Sequence, residues 1–136
     1  MTTNIPEHYK QLIEAAKSAR TVSYAPYSHY HVGAALLTAD GRIFTGCNIE
    51  NGSYGATVCA ERTAFFKAIS EGVRQGFRAI AIAGGPGEEI APSYPCGICR
   101  QVMSEFCDRD FEIIVVGAEG AELYTLGELL PHSFVI

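Results

Sequence analysis

The 136-residue sequence holds no apolar run long enough to cross a bilayer, which takes about 20 residues. Its first residues, Met1-Thr2-Thr3-Asn4-Ile5-Pro6-Glu7, lack both the basic start and the apolar stretch of a secretory leader. A soluble, unsecreted, cytoplasmic chain with no membrane partner is therefore expected. Basic charge is scarce as well. Ten Lys and Arg stand against fifteen Asp and Glu, giving a net charge of −5, and the basic residues are scattered. Proteins that track nucleic acid present a basic stripe, so no nucleic-acid partner is expected and a small molecule is. Repeats and low-complexity tracts are absent, which with 48% hydrophobic residues points to one domain over residues 1–136.

Cysteine is present in an odd number, five, and three of the five fall in motifs. That pattern disfavours a disulfide framework and favours metal ligation in a reducing compartment. The motifs are Cys59-Ala60-Glu61-Arg62 and Pro95-Cys96-Gly97-Ile98-Cys99. At a helix start, residues i and i+3 share a face, so Cys96 and Cys99 would present both sulfurs together. Cys59 from a second helix would complete a three-thiolate zinc site with one open corner. Structural zinc sites are closed by four protein ligands, whereas catalytic ones keep a corner for water. Glu61, two residues after the first ligand, stands where a proton carrier for that water is wanted. A structural zinc knuckle or non-enzymatic zinc scaffold remains the rival reading, and Glu61 is the residue that argues against it. Cys47 and Cys107 belong to no motif and are expected to be small buried apolar residues.

Cysteine or histidine, any residue, glutamate and a later Pro-Cys-x-x-Cys is the signature of zinc-dependent base deaminases. The sequence resembles the cytidine deaminase family, in its short form with three cysteine ligands. The resemblance runs through Tyr24-Ala25-Pro26-Tyr27-Ser28, Val32-Gly33-Ala34-Ala35, Asn48-Ile49-Glu50-Asn51, Cys59-Ala60-Glu61-Arg62 and Pro95-Cys96-Gly97-Ile98-Cys99-Arg100-Gln101. It implies Zn2+ as cofactor, held by Cys59, Cys96 and Cys99, with Glu61 as the catalytic proton carrier. It also implies a free nucleoside as substrate, cytidine or 2′-deoxycytidine, in pyrimidine salvage. Asn48 and Glu50 would hold the ribose 3′-hydroxyl, and the backbone at Ala60 would read the base edge. Tyr30 would pack on the base where the family usually has Phe, leaving a hydroxyl in need of a partner. Arg62 would bond the ligand sulfurs. The family's small members are homotetramers, and Phe134 matches an aromatic that enters a neighbour's site. A zinc deaminase of another aminated nucleoside or base is the alternative.

The remaining pattern predicts an α/β fold, a single mixed five-stranded sheet with helices on both faces. Ile5, Tyr9, Leu12, Ile13, Ala16 and Ala19 recur at helical spacing and predict a helix from about Glu7 to Val22. Strands are expected over about 29–37 and 42–49, joined by the Asp40-Gly41 turn, and over 77–83, 111–116 and 121–124. The ligand helices are expected near 58–71 and 97–107. His29 and His31 are expected as an exposed pair on the strand face opposite Tyr30 and Val32. Gly84 to Tyr94 reads as a loop at the pocket rim. Thr125 with Glu128 reads as a capping box opening a last short helix.

Overall fold

The computed structural model describes residues 3–136. Strands β1 (Tyr30–Thr38) and β2 (Ile43–Cys47) form a hairpin, followed by α2 (Ala60–Ser70), β3 (Phe77–Pro86), α3 (Gly97–Phe106), β4 (Glu112–Val116) and β5 (Ala121–Thr125). Before them runs α1 (Lys10–Ala19), with one 3-10 turn at each end, and after them the short α4 (Leu126–Leu129). The five strands lie in the order β2-β1-β3-β4-β5. Only β3 and β4 are parallel, as a strand–helix–strand crossover through α3 requires.

Alternation along the strands sends side chains to two layers. On one face Ala34, Leu36, Ile80, Ile82, Ile113 and Val115 pack against α2 and α3 through Ala64, Phe65, Cys99 and Met103. On the other, Ala35, Ala79, Ala81, Ala83 and Ile114 meet Tyr9, Leu12 and Ala16 of the first helical segment. The expected mixed sheet with helices on both faces is therefore the architecture found. Two glycines set the spacing of those layers. A Cβ on Gly46 would lie 2.5 Å from the carbonyl oxygen of Ala60, at the start of α2. A Cβ on Gly33 would lie 2.2 Å from the carbonyl oxygen of Ala16 in α1. Both helices thus touch the strand backbone itself.

Three expectations need correction. The loop expected from Gly84 begins later, because β3 continues to Pro86, pairing Val32 with Gly84, His31 with Gly85 and Tyr30 with Pro86. Backbone pairing with a neighbour already in place outweighs the weak strand preference of Gly and Pro. His29 and His31 are not an alternating exposed pair. His29 precedes β1 with φ +57°, while His31 is half-buried and its Nδ1 meets the Ser23 hydroxyl. Cys107 is only partly buried, as is Cys47, whose thiol lies 3.7 Å from the Val22 carbonyl. The Thr125–Glu128 capping box is present in both directions at the start of α4.

Candidate active site and metal centre

Cys59 and Cys96 occupy equivalent positions, each the N-cap of a helix, with extended backbone and no capping hydrogen bond from its side chain. Their sulfurs are therefore left for another partner. Cys99 lies one turn into α3 and is buried. The three Sγ atoms lie within 4.8 Å of one another, with Cys59–Cys96 at 3.6 Å and Cys96–Cys99 at 3.5 Å. Tetrahedral zinc with Zn–S bonds of about 2.3 Å separates its sulfurs by about 3.8 Å, so the cluster needs little movement to hold the ion.

The electrostatics agree with that fit. Two helix N-termini point at the cluster, and their partial positive charge favours thiolate over thiol. The Cys59 thiol is pulled well below the usual range by its contact with Cys99, and then by the Arg62 guanidinium. Cys99 is pushed up in turn, because it shares its proton with Cys59 and is buried. Arg62 Nη2 donates to Cys59 Sγ at 3.5 Å, while Arg62 Nε is buried with no hydrogen-bond partner. A buried N–H without an acceptor is costly. Thiolates formed on metal binding would place negative charge beside it.

Glu61 follows directly, in the first turn of α2, and is 4% exposed. Burial raises its carboxyl to about 7, with the Cys59 sulfur adding to the rise. A carboxyl of that kind holds or releases a proton near neutrality.

Beside the cluster opens a cavity of about 460 Å³. Its lining includes Cys59, Ala60, Glu61 and Cys96 together with Tyr30, Asn48 and Glu50, residues that the sequence named from four separate stretches. Asn48 is fixed by β1, its Oδ1 accepting from Val32 N at 2.9 Å and its Nδ2 donating to Tyr30 O at 2.8 Å. Glu50 accepts from the Ser28 hydroxyl and from the amides of Tyr27 and Ser28 at 2.9 and 3.2 Å. Those bonds, the Ser28 hydroxyl first, hold its carboxyl below the usual range. Phe134 stands apart. It lines a separate cavity together with Phe106, Leu126 and Leu130, and is 63% exposed.

Sequence reasoning set the Gly84–Tyr94 segment at the pocket rim without singling out Ser93 and Tyr94, which also line the cavity. Ser93 Oγ lies 2.6 Å from the Tyr30 hydroxyl and donates to Ala91 O at 3.0 Å. It supplies the partner that the Tyr30 hydroxyl needs. Tyr94 donates to Glu122 of β5 at 3.2 Å and packs edge-on against Tyr124. The one available signal was position, since Ser93-Tyr94 immediately precedes Pro95-Cys96.

Residues 6–116 match the sequence model of the cytidine and deoxycytidylate deaminase zinc-binding region. The chain belongs to that family. It is 48% identical over 126 residues to a cytidine deaminase of Sporosarcina psychrophila, covering 92% of this chain and 90% of that one. It is 32% identical over 137 residues to a blasticidin-S deaminase of Bacillus cereus, covering 98% and 96% respectively. The crystal structure of a cytidine deaminase from Burkholderia pseudomallei superposes with a TM-score of 0.85 at 47% identity, covering 96% of this chain and all of that one. Family membership and the three-cysteine cluster agree on zinc as the ion of this centre.

Proposed function

We propose that the chain catalyses zinc-dependent hydrolysis of the C4 amino group of cytidine and 2′-deoxycytidine, giving uridine or 2′-deoxyuridine and ammonia. The observation that carries this reading is Glu61, a buried carboxyl in the cavity wall beside three convergent thiols. Zinc held by Cys59, Cys96 and Cys99 would supply a polarised water for attack at C4. Glu61 would take a proton from that water and deliver it to N3 as the C4–O bond forms, then move the remaining C4 hydroxyl proton to the amino nitrogen as the C4–N bond breaks and ammonia leaves. Arg62 would offset the charge of three thiolates through its contact with Cys59.

The nucleoside would lie along the cavity with its base near Ala60 and the Tyr30 ring. Asn48 and Glu50, whose side chains are already oriented by β1 and by the Tyr27–Ser28 backbone, would meet the ribose hydroxyls. Such preorganisation spares the entropy of ordering them on binding. The net charge of −5 favours an uncharged nucleoside over nucleic acid. Among the described residues no helix is long and apolar enough to cross a membrane, which fits a cytoplasmic salvage enzyme. Residues 1–136 would act as one domain in a homotetramer, with Phe134 reaching a neighbouring subunit's cavity.

A second reading, an enzyme for another aminated nucleoside, is favoured by the likeness to the blasticidin-S deaminase. One experiment separates the two. Purified protein with one zinc per chain should release ammonia from cytidine, with the accompanying ultraviolet change. No release from cytidine beside release from another aminated nucleoside would select the second reading, and no release from any would remove both.

A further inference from the structure

Arg20 ends α1 close against β1, where Gly33 has no side chain: a Cβ there would lie 2.4 Å from the Arg20 amide nitrogen. The residue is 8% exposed, and its guanidinium is surrounded by carbonyl oxygens. Nε donates to His31 O at 3.1 Å and Nη1 to Glu88 O at 3.3 Å. Nη2 donates to Gly85 O at 3.0 Å, Gly87 O at 3.1 Å and Glu89 O at 2.9 Å. A buried cation is retained only when its donors are satisfied, and the planar fork of arginine can address several carbonyls that one ammonium cannot.

The acceptors fall in two segments. Four belong to Gly85, Gly87, Glu88 and Glu89, the end of β3 and the turn after it. The fifth is His31, which sits in β1 between Tyr30 and Val32, both lining the cavity. The turn is tied again where Gly87 N donates to His29 O at 3.0 Å, and it closes where Ala91 N donates to Gly84 O at 2.7 Å. The residues that follow the closure are Pro92, Ser93 and Tyr94, all on the cavity wall. Arg20 itself does not line that cavity.

We propose that Arg20 is a positioning residue: by gripping the 85–89 turn and β1 together, it holds Ser93 against Tyr30 and so fixes the wall of the nucleoside cavity. The proposal rests on the deaminase reading above. A misplacement of about 1 Å at a site, caused by a change remote from the chemistry, can cost up to about 100-fold.

Steady-state kinetics with cytidine, on zinc-loaded full-length Arg20→Lys well below its melting temperature, tests this. Lysine keeps the charge but brings its three donors from one atom. KM should rise about 10-fold with kcat nearly unchanged and zinc still bound, the mark of lost binding rather than lost chemistry. In a Ser93→Ala background the same substitution should raise KM much less, because the contact it acts through is gone. A lowered melting temperature with unchanged KM would make Arg20 merely structural and overturn the proposal, as would full additivity with Ser93→Ala. If Arg20→Lys does not fold, Gly87→Ala carries the test. At φ +56° it strains the same turn and displaces one of the carbonyls that Arg20 grips while leaving the arginine in place, and KM must rise there too or the proposal fails. Absence of any ammonia release by the parent protein would instead defeat the underlying deaminase reading.

Discussion

The Arg62 guanidinium donates through Nη2 to the sulfur of Cys59, three residues back on the first turn of α2. The bond joins a cation to a proposed zinc ligand at the N-cap of α2, so removing it should weaken the centre without unfolding the chain. Arg62→Gln is expected to lose roughly 10- to 100-fold in activity or zinc affinity, as outer-shell changes do. Zinc titration with a competing chelator, run beside kinetics, reads both. Parent-like activity at full zinc occupancy would make Arg62 an ordinary arginine.

Glu61→Gln keeps the size and the hydrogen-bonding reach of the side chain but cannot carry a proton. Turnover should fall by on the order of 100- to 10,000-fold, with one zinc per chain retained. Metal analysis on the same sample decides between roles, because loss of zinc together with activity would mark Glu61 as a ligand or a structural group.

Tyr30→Phe removes one hydroxyl and leaves the ring. Ser93 would keep its bond to Ala91 O, so only the contact with Tyr30 is lost. A hydrogen bond of this kind is worth about 0.5–1.5 kcal/mol net, so KM for cytidine should rise by roughly 2- to 10-fold. An unchanged KM would show that the hydroxyl pair does not shape the wall that the substrate meets.

The C-terminal residues Phe134, Val135 and Ile136 are 63%, 91% and 109% exposed, an apolar tail in water. Removing residues from Ser133 onward should leave the fold and cost activity if Phe134 enters a neighbour's cavity. An aromatic anchor in an interface is typically worth about 2 kcal/mol or more, so activity should fall roughly 30-fold. Sedimentation with parallel kinetics checks this, and a fully active monomer of either form would contradict it.

Much of the site was legible because its chemistry is local. Cys96 and Cys99 are joined by one helical turn, and Cys59 and Glu61 by two residues, so spacing alone brings the proposed ligand and the proposed proton carrier to one cavity wall. Asn48 and Glu50, two residues apart, line the same cavity for a similar reason. The five strands and three principal helices were legible from periodicity, since strands alternate at two residues and helices at 3.6. Other features depend on segments far apart in the chain. Ser93 has no pattern of its own, and it enters the cavity only because β3 runs on to Pro86 beside β1 and the chain turns back at Ala91. The reach of β3 is decided by a neighbouring strand's backbone donors and acceptors, which local propensity does not register. Arg20 looks like a polar end to an amphipathic helix until Gly33 lets that helix meet β1 and five carbonyls converge on the guanidinium. The sequence by itself determined the cysteine cluster, the carboxyl beside it and the order of elements, because those rest on neighbours in the chain. Only the tertiary structure decided which polar groups hold the cavity wall, because a buried donor takes its acceptors from whatever the fold brings within 3 Å or so.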